Sequence, residues 1–245
     1  MNNEGQIADL IAGLDHPDKP TLRRAVDALI ALAPASVNLQ NILHQRLTEY
    51  GHKNYWPVAY VLGHLSSPSQ ECISKLIDAL DHPEPDIRWA IALLLVSIAK
   101  KEIAVADLLV ALCAGGTVNQ KRMALYCIRD LALSDSVSLA ALLTALDDAD
   151  PTVRVAAAIC LKMRGDLDDA GKNILLKVYV EDKDPRVRNA AAIALAALGS
   201  PSEEFLRALT EASESNDPQA RKAANAAFEI LEKRRSASSG SLRNR

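Results

Sequence analysis

The sequence of 245 residues has few aromatic side chains, little net charge and no long apolar run. A net charge of −3 provides no positive field to attract nucleic acid, so nucleic acid is disfavoured as a partner. The longest apolar stretch, from Trp89 to Ala99 with Ser97 inside it, is too short to span a bilayer. The first residues, Met1-Asn2-Asn3-Glu4, lack the basic flank and apolar core of a signal peptide. We therefore expect a cytoplasmic protein that does not bind membranes.

The sequence also lacks the motifs that carry catalysis or hold metals. It contains no G-x-S-x-G, no Walker loop and no H-E-x-x-H. Its four cysteines form no C-x-x-C pair and stand inside apolar helical stretches, which predicts buried thiols in a reducing compartment: Cys72, Cys113, Cys127 and Cys160. The sequence therefore predicts no catalytic residue, no metal and no cofactor.

What the sequence does have is a repeat. Equivalent positions recur at intervals of 32 to 34 residues, and six of the seven are arginine: Arg23, Trp56, Arg88, Arg122, Arg154, Arg188 and Arg221. A fixed period of this length is typical of solenoids built from stacked helix pairs. Six positions further on, every residue is apolar, which predicts an inward-facing stripe: Leu29, Leu62, Leu94, Ile128, Cys160, Ala194 and Ala227.

The second helix of each pair has a recognisable start. Asp150-Pro151, Asp184-Pro185 and Asp217-Pro218 each place a capping carboxylate before the one helical position where proline costs no hydrogen bond. Pro20 and Pro85 mark the same start in two earlier repeats. No strand pattern competes, so the chain is predicted to be all-α.

The pattern D-x-P-x-V-R-x-A-A resembles HEAT repeats, most closely the short subclass named for phycobilisome lyases. The resemblance implies a right-handed α-solenoid of about seven HEAT-like helical hairpins. The expected repeats cover approximately residues 1–35, 36–67, 68–101, 102–134, 135–166, 167–199 and 200–233. Together they form one domain, 1–233, followed by a disordered basic tail over 234–245.

The same resemblance implies a structural ladder of turn aspartates and helix arginines. It would join Asp150 with Arg154, Asp184 with Arg188 and Asp217 with Arg221, or each aspartate with the arginine of a neighbouring repeat. A planar guanidinium suits this role because it can bond a carboxylate and turn carbonyls together. The remaining ladder members would be Arg23, Arg88 and Arg122.

The second repeat departs most from the pattern. It has Trp56 where the others have arginine, and Pro57 follows, so that Pro57 could instead mark the start of the helix. Several aromatic and histidine side chains surround this position: Tyr50, His52, Tyr55, Tyr60 and His64. Two interpretations stay open, namely a locally repacked joint or an aromatic recognition patch.

Large side chains also interrupt the small ones on one face of the second helices, which the resemblance places on the concave surface. We expect a partner-binding stripe of Tyr60, Trp89, Met123 and Tyr126, extended by Trp56 and His64. The alternative is that curvature buries these side chains between helices.

The leading functional prediction is a non-catalytic scaffold or adaptor that binds a partner protein through its concave surface. The resemblance also implies a phycobilin-lyase-like alternative, a factor that assists tetrapyrrole attachment to a client protein. A nucleic-acid-binding HEAT-like protein is a further, less favoured alternative, because Asp27, Asp130 and Glu229 share the proposed face with Arg24, Lys162 and Lys222.

Overall fold

A computed structural model describes residues 3–49, 55–165, 167–199 and 201–242. Helices account for 80% of the structure, and the described ranges contain no strand. The all-α prediction is therefore confirmed. The chain divides into two compact units, Met1–Ala106 and Asp107–Arg245, here called the N-terminal and the C-terminal unit. That residues 1–233 form a single domain stays a prediction.

The N-terminal unit is built from helix pairs whose second members also contact one another. Its helices are α1 (Asn3–Gly13), α2 (Lys19–Leu32), α3 (Val37–Glu49), α4 (Trp56–Gly63), α5 (Gln70–Ala79) and α6 (Pro85–Ala99), with one 3-10 turn at Ala33–Ala35. Helix α7 (Ile103–Gly115) runs across the unit boundary. Contacts pair α1 with α2, α3 with α4 and α5 with α6, and α4 also packs against α2 and α6. The second helices thus form one continuous layer in this unit.

The C-terminal unit repeats this arrangement. Its helices are α8 (Val118–Leu131), α9 (Ser136–Ala145), α10 (Pro151–Arg164), α11 (Asp169–Glu181), α12 (Pro185–Ala197), α13 (Glu203–Ser213) and α14 (Pro218–Leu242). The pairs are α9 with α10, α11 with α12 and α13 with α14, while α8, α10, α12 and α14 pack in sequence. Each repeat therefore buries its apolar face against the next one.

Side chains of the predicted capping residues start three of the second helices. Asp150 Oδ1 accepts a hydrogen bond from Thr152 N at 2.7 Å, and Asp184 Oδ1 accepts one from Arg186 N at 2.8 Å. Asp217 Oδ1 likewise accepts from Gln219 N at 2.8 Å. Each bond satisfies a helix N–H group that has no partner within the helix, which stabilises the fold by about 0.5–2 kcal/mol per cap.

The predicted inward stripe forms the core. All seven apolar residues of that series are buried, from Leu29 in α2 to Ala227 in α14. Helices within a pair also approach closely, since a Cβ atom added to Gly13 would lie 2.8 Å from the Cβ of Ala25. A larger residue at either position would overpack the crossing, at a cost of about 1–3 kcal/mol.

The helix starts show that the repeats are not in one register. Arg88, Arg154 and Arg188 stand four positions after their N-cap residues, whereas Arg23 and Arg122 stand five positions after theirs. Trp56 is the first residue of α4, so Pro57 does mark the helix start and Trp56 does not occupy the ladder position. One residue turns a helix face by about 100°, so these shifts change which side chains face solvent.

The last helix extends beyond residue 233, where a disordered tail was expected. Helix α14 continues to Leu242, and Arg234 Nη1 donates to the carbonyl of Ala197 at the end of α12, at 2.6 Å. This bond ties the basic segment to the preceding repeat, which composition alone did not reveal. Residues 243–245 lie outside the described residues.

Candidate functional site

The ladder is best developed in the C-terminal unit. Arg154 donates from Nε and Nη2 to the two carboxylate oxygens of Asp182 at 2.7 and 2.9 Å. Its Nη1 donates to the carbonyls of Asp148 and Ala149 at 2.8 and 3.2 Å. Burial alone would raise the pKa of Asp182, but the hydrogen bonds from Arg154 and from the Asp184 amide hold this pKa below its ordinary value. Arg154 thus joins its own turn to the turn of the following repeat.

The ladder position in α8 belongs to Lys121 and not to Arg122. Lys121 stands four positions after the N-cap Thr117, and its Nζ lies 2.8 Å from Asp148 Oδ2 in the next turn. The prediction for Arg122 is therefore corrected, because capping by Thr117 shifts the helix start by one residue. Arg23 is exposed on α2 and bonds no described residue, so it is not a ladder member either.

The other predicted arginines do bond their own turns. Arg88 Nη1 donates to the carbonyls of His82 and Pro83 at 2.6 and 2.9 Å. Arg221 Nη1 donates to the carbonyl of Ser215 at 2.7 Å. These bonds repeat the six-residue separation between Arg154 and the carbonyl of Asp148.

The carboxylates of the ladder are mostly not the ones predicted. Asp150 and Asp184 serve as helix caps, and Asp184 pairs with Arg186 at 2.7 Å instead of Arg188. Asp217 does pair with the arginine of the neighbouring repeat, Arg188, at 3.3 Å. The missed carboxylates are those of Asp148 and Asp182, each standing two residues before a capping aspartate. That recurring spacing was the available sequence signal.

A solvent-facing row runs along the second helices, five and nine positions after each N-cap residue. We call it the outer row. In the N-terminal unit every member is partly or fully exposed: Arg23 and Asp27 on α2, Tyr60 and His64 at α4, and Trp89 and Leu93 on α6. The structural register therefore places Tyr60 and Trp89 at equivalent positions of neighbouring helices.

The apolar members of this row differ in how far they are exposed. Trp89 is 41% exposed and Leu93 is 60% exposed, one helical turn apart on α6. Tyr60 is half-buried, and its ring meets the His64 ring edge-on with centroids 4.7 Å apart. His64 Nδ1 lies 2.8 Å from the Tyr60 carbonyl oxygen, and burial, followed by nearby Asp27, raises the pKa of the Tyr60 phenol. Tyr60 is thus a half-buried side chain beside two exposed ones.

Trp56 lies apart from the outer row. Its half-buried ring meets the ring of His82 edge-on, at a centroid distance of 6.0 Å. Trp56 therefore packs on the next turn of the N-terminal unit, as the repacked-joint interpretation expects. Tyr50 and His52 lie outside the described residues.

Met123 does not belong to an exposed stripe. It is only 4% exposed, because it stands six positions after the N-cap Thr117 and faces the core. Tyr126, nine positions after Thr117, lies on the outer row of the C-terminal unit, half-buried against that unit's core and 5.1 Å below the Arg129 guanidinium. Of the predicted stripe, Tyr60, Trp89 and Tyr126 thus lie on the outer row and Met123 does not, and their role in partner binding stays a prediction.

Other chemistry in the described ranges is limited. They hold no group of three or more His, Cys, Asp or Glu side chains arranged for a metal ion. The four cysteines form no disulfide and are buried, and burial raises the pKa of each thiol to about 12. Such thiols stay protonated at neutral pH and are poor nucleophiles. None of the described helices combines the length and apolarity needed to cross a bilayer.

Comparison with known families supports the repeat assignment. The family model described as HEAT repeats matches residues 139–229, so the HEAT resemblance is confirmed over this segment. The X-ray structure of Escherichia coli YibA is similar, with a TM-score of 0.54 and 14% identity, over 95% of this chain and 93% of that one. At this identity the likeness shows the fold alone, an α-solenoid of helix pairs.

Two further solved structures show weaker likeness. An engineered protein aligns with a TM-score of 0.49 and 20% identity, over 93% of this chain and 68% of that chain. Human deoxyhypusine hydroxylase in complex with glycerol aligns with a TM-score of 0.38 and 16% identity, over 94% and 97% of the two chains. No curated protein matches the sequence. The fold assignment therefore rests on the HEAT-repeat family model and on the YibA structure, and the function is left to the geometry of the sites.

Proposed function

We propose that the chain is a non-catalytic protein-interaction scaffold, and that a partner protein docks on the outer row of the N-terminal unit. The observation that carries this proposal is the exposure of Trp89 and Leu93 on consecutive turns of α6. Complete burial of a large apolar side chain is worth about 1.5–3 kcal/mol, and these two side chains forfeit part of that stabilisation by remaining exposed. A cluster of this kind, with polar neighbours, is typical of a partner-binding surface.

Tyr60 adds a second aromatic side chain to this surface. Tyr60 occupies the position on α4 equivalent to Trp89, and its half-buried ring packs edge-on against the His64 ring. A side chain that is already ordered loses less conformational entropy on binding, so more of the contact energy contributes to affinity. Tyrosine and tryptophan are also the residue types that most often dominate interface energetics.

The neighbouring charges indicate what a partner would present. Arg23 and Asp27, both exposed on α2, flank the aromatic positions with opposite charges. We therefore propose a helix or loop that inserts an apolar side chain between Trp89 and Tyr60, and carries polar groups at its edge. Charges at the rim of such an interface affect association rate and specificity more than affinity.

The test is a quantitative comparison of partner capture from the native lysate by variants of the full chain. Trp89→Ala and Leu93→Ala should each reduce recovery of the same protein, with a loss of about 2 kcal/mol or more for a central aromatic residue. Val37→Ala is the matched control, because Val37 is 71% exposed on α3 but does not belong to the outer row. Equal recovery by all folded variants would contradict the docking surface.

The alternatives stay predictions. A tetrapyrrole-attachment factor and a nucleic-acid-binding protein each require residues that handle the ligand, and the outer row of the N-terminal unit offers neither a free thiolate nor a continuous basic surface. Protein binding therefore accounts for this surface most simply.

A further inference from the structure

Two consecutive ladder arginines in the C-terminal unit differ in how completely their donors are used. Arg154 donates from both Nε and Nη2 to the carboxylate of Asp182, and the Asp182 side chain is only 8% exposed. Two parallel N–H···O bonds to one carboxylate are the strongest arrangement that a guanidinium makes with a single partner. The Arg154–Asp182 pair therefore shows that an arginine at this position of the repeat binds a carboxylate.

Arg188 occupies the same position one repeat later. Its Nη1 donates to the carbonyls of Asp182 and Lys183 at 2.9 and 3.4 Å, as Arg154 does in its own turn. Among the described residues, its one carboxylate contact is a single bond from Nη2 to Asp217 at 3.3 Å, and the Asp217 side chain is 44% exposed. Arg188 Nε bonds no described residue. Nε of this guanidinium is therefore available, and Nη2 is held by one long bond to an exposed carboxylate.

The cause is a single substitution within the repeat. Asp182 and Ser215 hold equivalent places, because each accepts a hydrogen bond from the amide two residues later, at 2.8 Å from Asp184 N and 3.1 Å from Asp217 N. Serine keeps the turn bond but supplies no carboxylate. Arg188 therefore lacks a buried carboxylate like the one that Asp182 provides for Arg154.

A hollow opens beside Arg188. It has a volume of about 280 Å³ and is bordered by Ser215 and Gln219 next to the guanidinium. The rest of its lining is largely apolar, with Tyr179, Val180, Ala208 and Ala212 among the bordering residues. The other charged residue of the lining is Glu211, an exposed side chain that lies 4.0 Å from Arg207. A carboxylate with an attached apolar group matches this combination.

We propose that Arg188 binds the side-chain carboxylate of an acidic residue in a partner segment, whose neighbouring aliphatic side chain enters the hollow. The incoming carboxylate would take the place that Asp182 takes on Arg154, with one oxygen on Nε and the other on Nη2. Lysine would not serve equally well here, because only the planar guanidinium presents two parallel donors. This site lies within the C-terminal unit and does not depend on the outer row of the N-terminal unit.

Fluorescence anisotropy with capped peptides tests the proposal. The probe is a fluorescein-labelled, C-amidated peptide containing Leu-Asp-Leu, and its isostere contains Leu-Asn-Leu. The full-length protein should bind the acidic peptide about tenfold more tightly than the isostere, as expected for a charge-assisted pair. Arg188→Gln should remove this preference. Lys222→Gln, which removes an exposed cation outside the hollow, should leave it unchanged.

A second variant tests the same site from within the chain. Ser215→Asp keeps the turn hydrogen bond and supplies the carboxylate, so it should close the rung on Arg188 and abolish binding of the acidic peptide. It should also raise the melting temperature by about 2–4 °C, and this gain should vanish in the Arg188→Gln background. Equal binding of both peptides, no binding of either to the wild-type protein, or a Ser215→Asp variant that still binds would each overturn the proposal.

Discussion

Lys121 Nζ lies 2.8 Å from Asp148 Oδ2, and this ion pair joins α8 to the turn that precedes α10. Arg154 makes the equivalent connection to Asp182 one repeat later. The ladder is therefore built from whichever cation stands four positions after the N-cap residue, and arginine is not required. Both partners of the lysine rung are largely shielded from solvent, so the pair should contribute measurably to stability.

Replacing Lys121 tests whether an ion pair of the ladder contributes more to stability than an ordinary surface ion pair does. We expect Lys121→Gln to lower the free energy of unfolding by about 1 kcal/mol, because Asp148 loses a shielded charge partner. Lys172→Gln is the control, since Lys172 pairs at 3.3 Å with Asp169, whose side chain is 97% exposed. Urea denaturation of both variants provides the comparison. Equal effects of the two substitutions would argue against a special role for the ladder.

The Asp182 rung should make stability depend on pH. The folded state holds the pKa of Asp182 below its ordinary value of 3.8, so its stabilising contribution is present above this value and is lost as the pH falls through the lower folded pKa. Asp182→Asn should therefore reduce the free energy of unfolding at pH 7 by about 1–3 kcal/mol. The difference in the free energy of unfolding between the wild-type protein and Asp182→Asn should narrow at acidic pH. There the wild-type carboxyl is protonated and is as neutral as the asparagine side chain. Denaturation curves at pH 7, 5, 4 and 3 measure it, and a constant difference would contradict this mechanism.

Two helix ends provide a matched pair of backbone substitutions. The C-cap residue of α8 is Ala132 with φ of 52°, and the C-cap residue of α10 is Gly165 with φ of 81°. Left-handed backbone is unfavourable for alanine and accessible to glycine, so Ala132→Gly should stabilise the protein by about 0.5–1 kcal/mol. Gly165→Ala should destabilise it by a similar amount through the backbone alone, because no atom lies within 4 Å of the added Cβ. Thermal unfolding of the two variants should shift in opposite directions, and shifts of the same sign would refute this explanation.

The contact between Arg234 and Ala197 should make the extension of α14 important for the last repeats. Arg234→Ala removes the hydrogen bond to the Ala197 carbonyl and should lower the free energy of unfolding by about 1 kcal/mol. Lys233→Ala is a neighbouring control of the same charge, because Lys233 is exposed on the same helix. Hydrogen exchange at the end of α12 should increase in the first variant only. Unchanged exchange in both would mean that the contact does not stabilise this helix end.

The sequence predicted those features that depend on neighbouring residues. The caps at Asp150, Asp184 and Asp217, and the buried series from Leu29 to Ala227, follow from local rules of helix starts and apolar spacing. The positions of Met123 and Trp56 could not be predicted in the same way. A helix start that moves by one residue turns every later side chain by about 100°, and this is enough to bury Met123.

Long-range pairing was the other feature that the repeat pattern did not specify. Arg154 and Asp182 are in different repeats, and the caps Asp150 and Asp184 were equally plausible acceptors by residue type. Only the path of the turns decides which carboxylate reaches the guanidinium. The unused Nε of Arg188 likewise depends on how adjacent repeats are arranged in three dimensions. It does not follow from the sequence of either repeat.

Site-specific photo-crosslinking in the native cell shows most directly whether a partner protein docks on the outer row of the N-terminal unit. A photoreactive phenylalanine analogue placed at position 93 should crosslink to a partner protein, because Leu93 is exposed beside Trp89 on the outer row. The same analogue at position 37 should give no such product, although Val37 is also exposed. Addition of Trp89→Ala should remove the crosslink from position 93. Identical products from positions 93 and 37, or a product from position 93 that survives Trp89→Ala, would contradict docking on this surface.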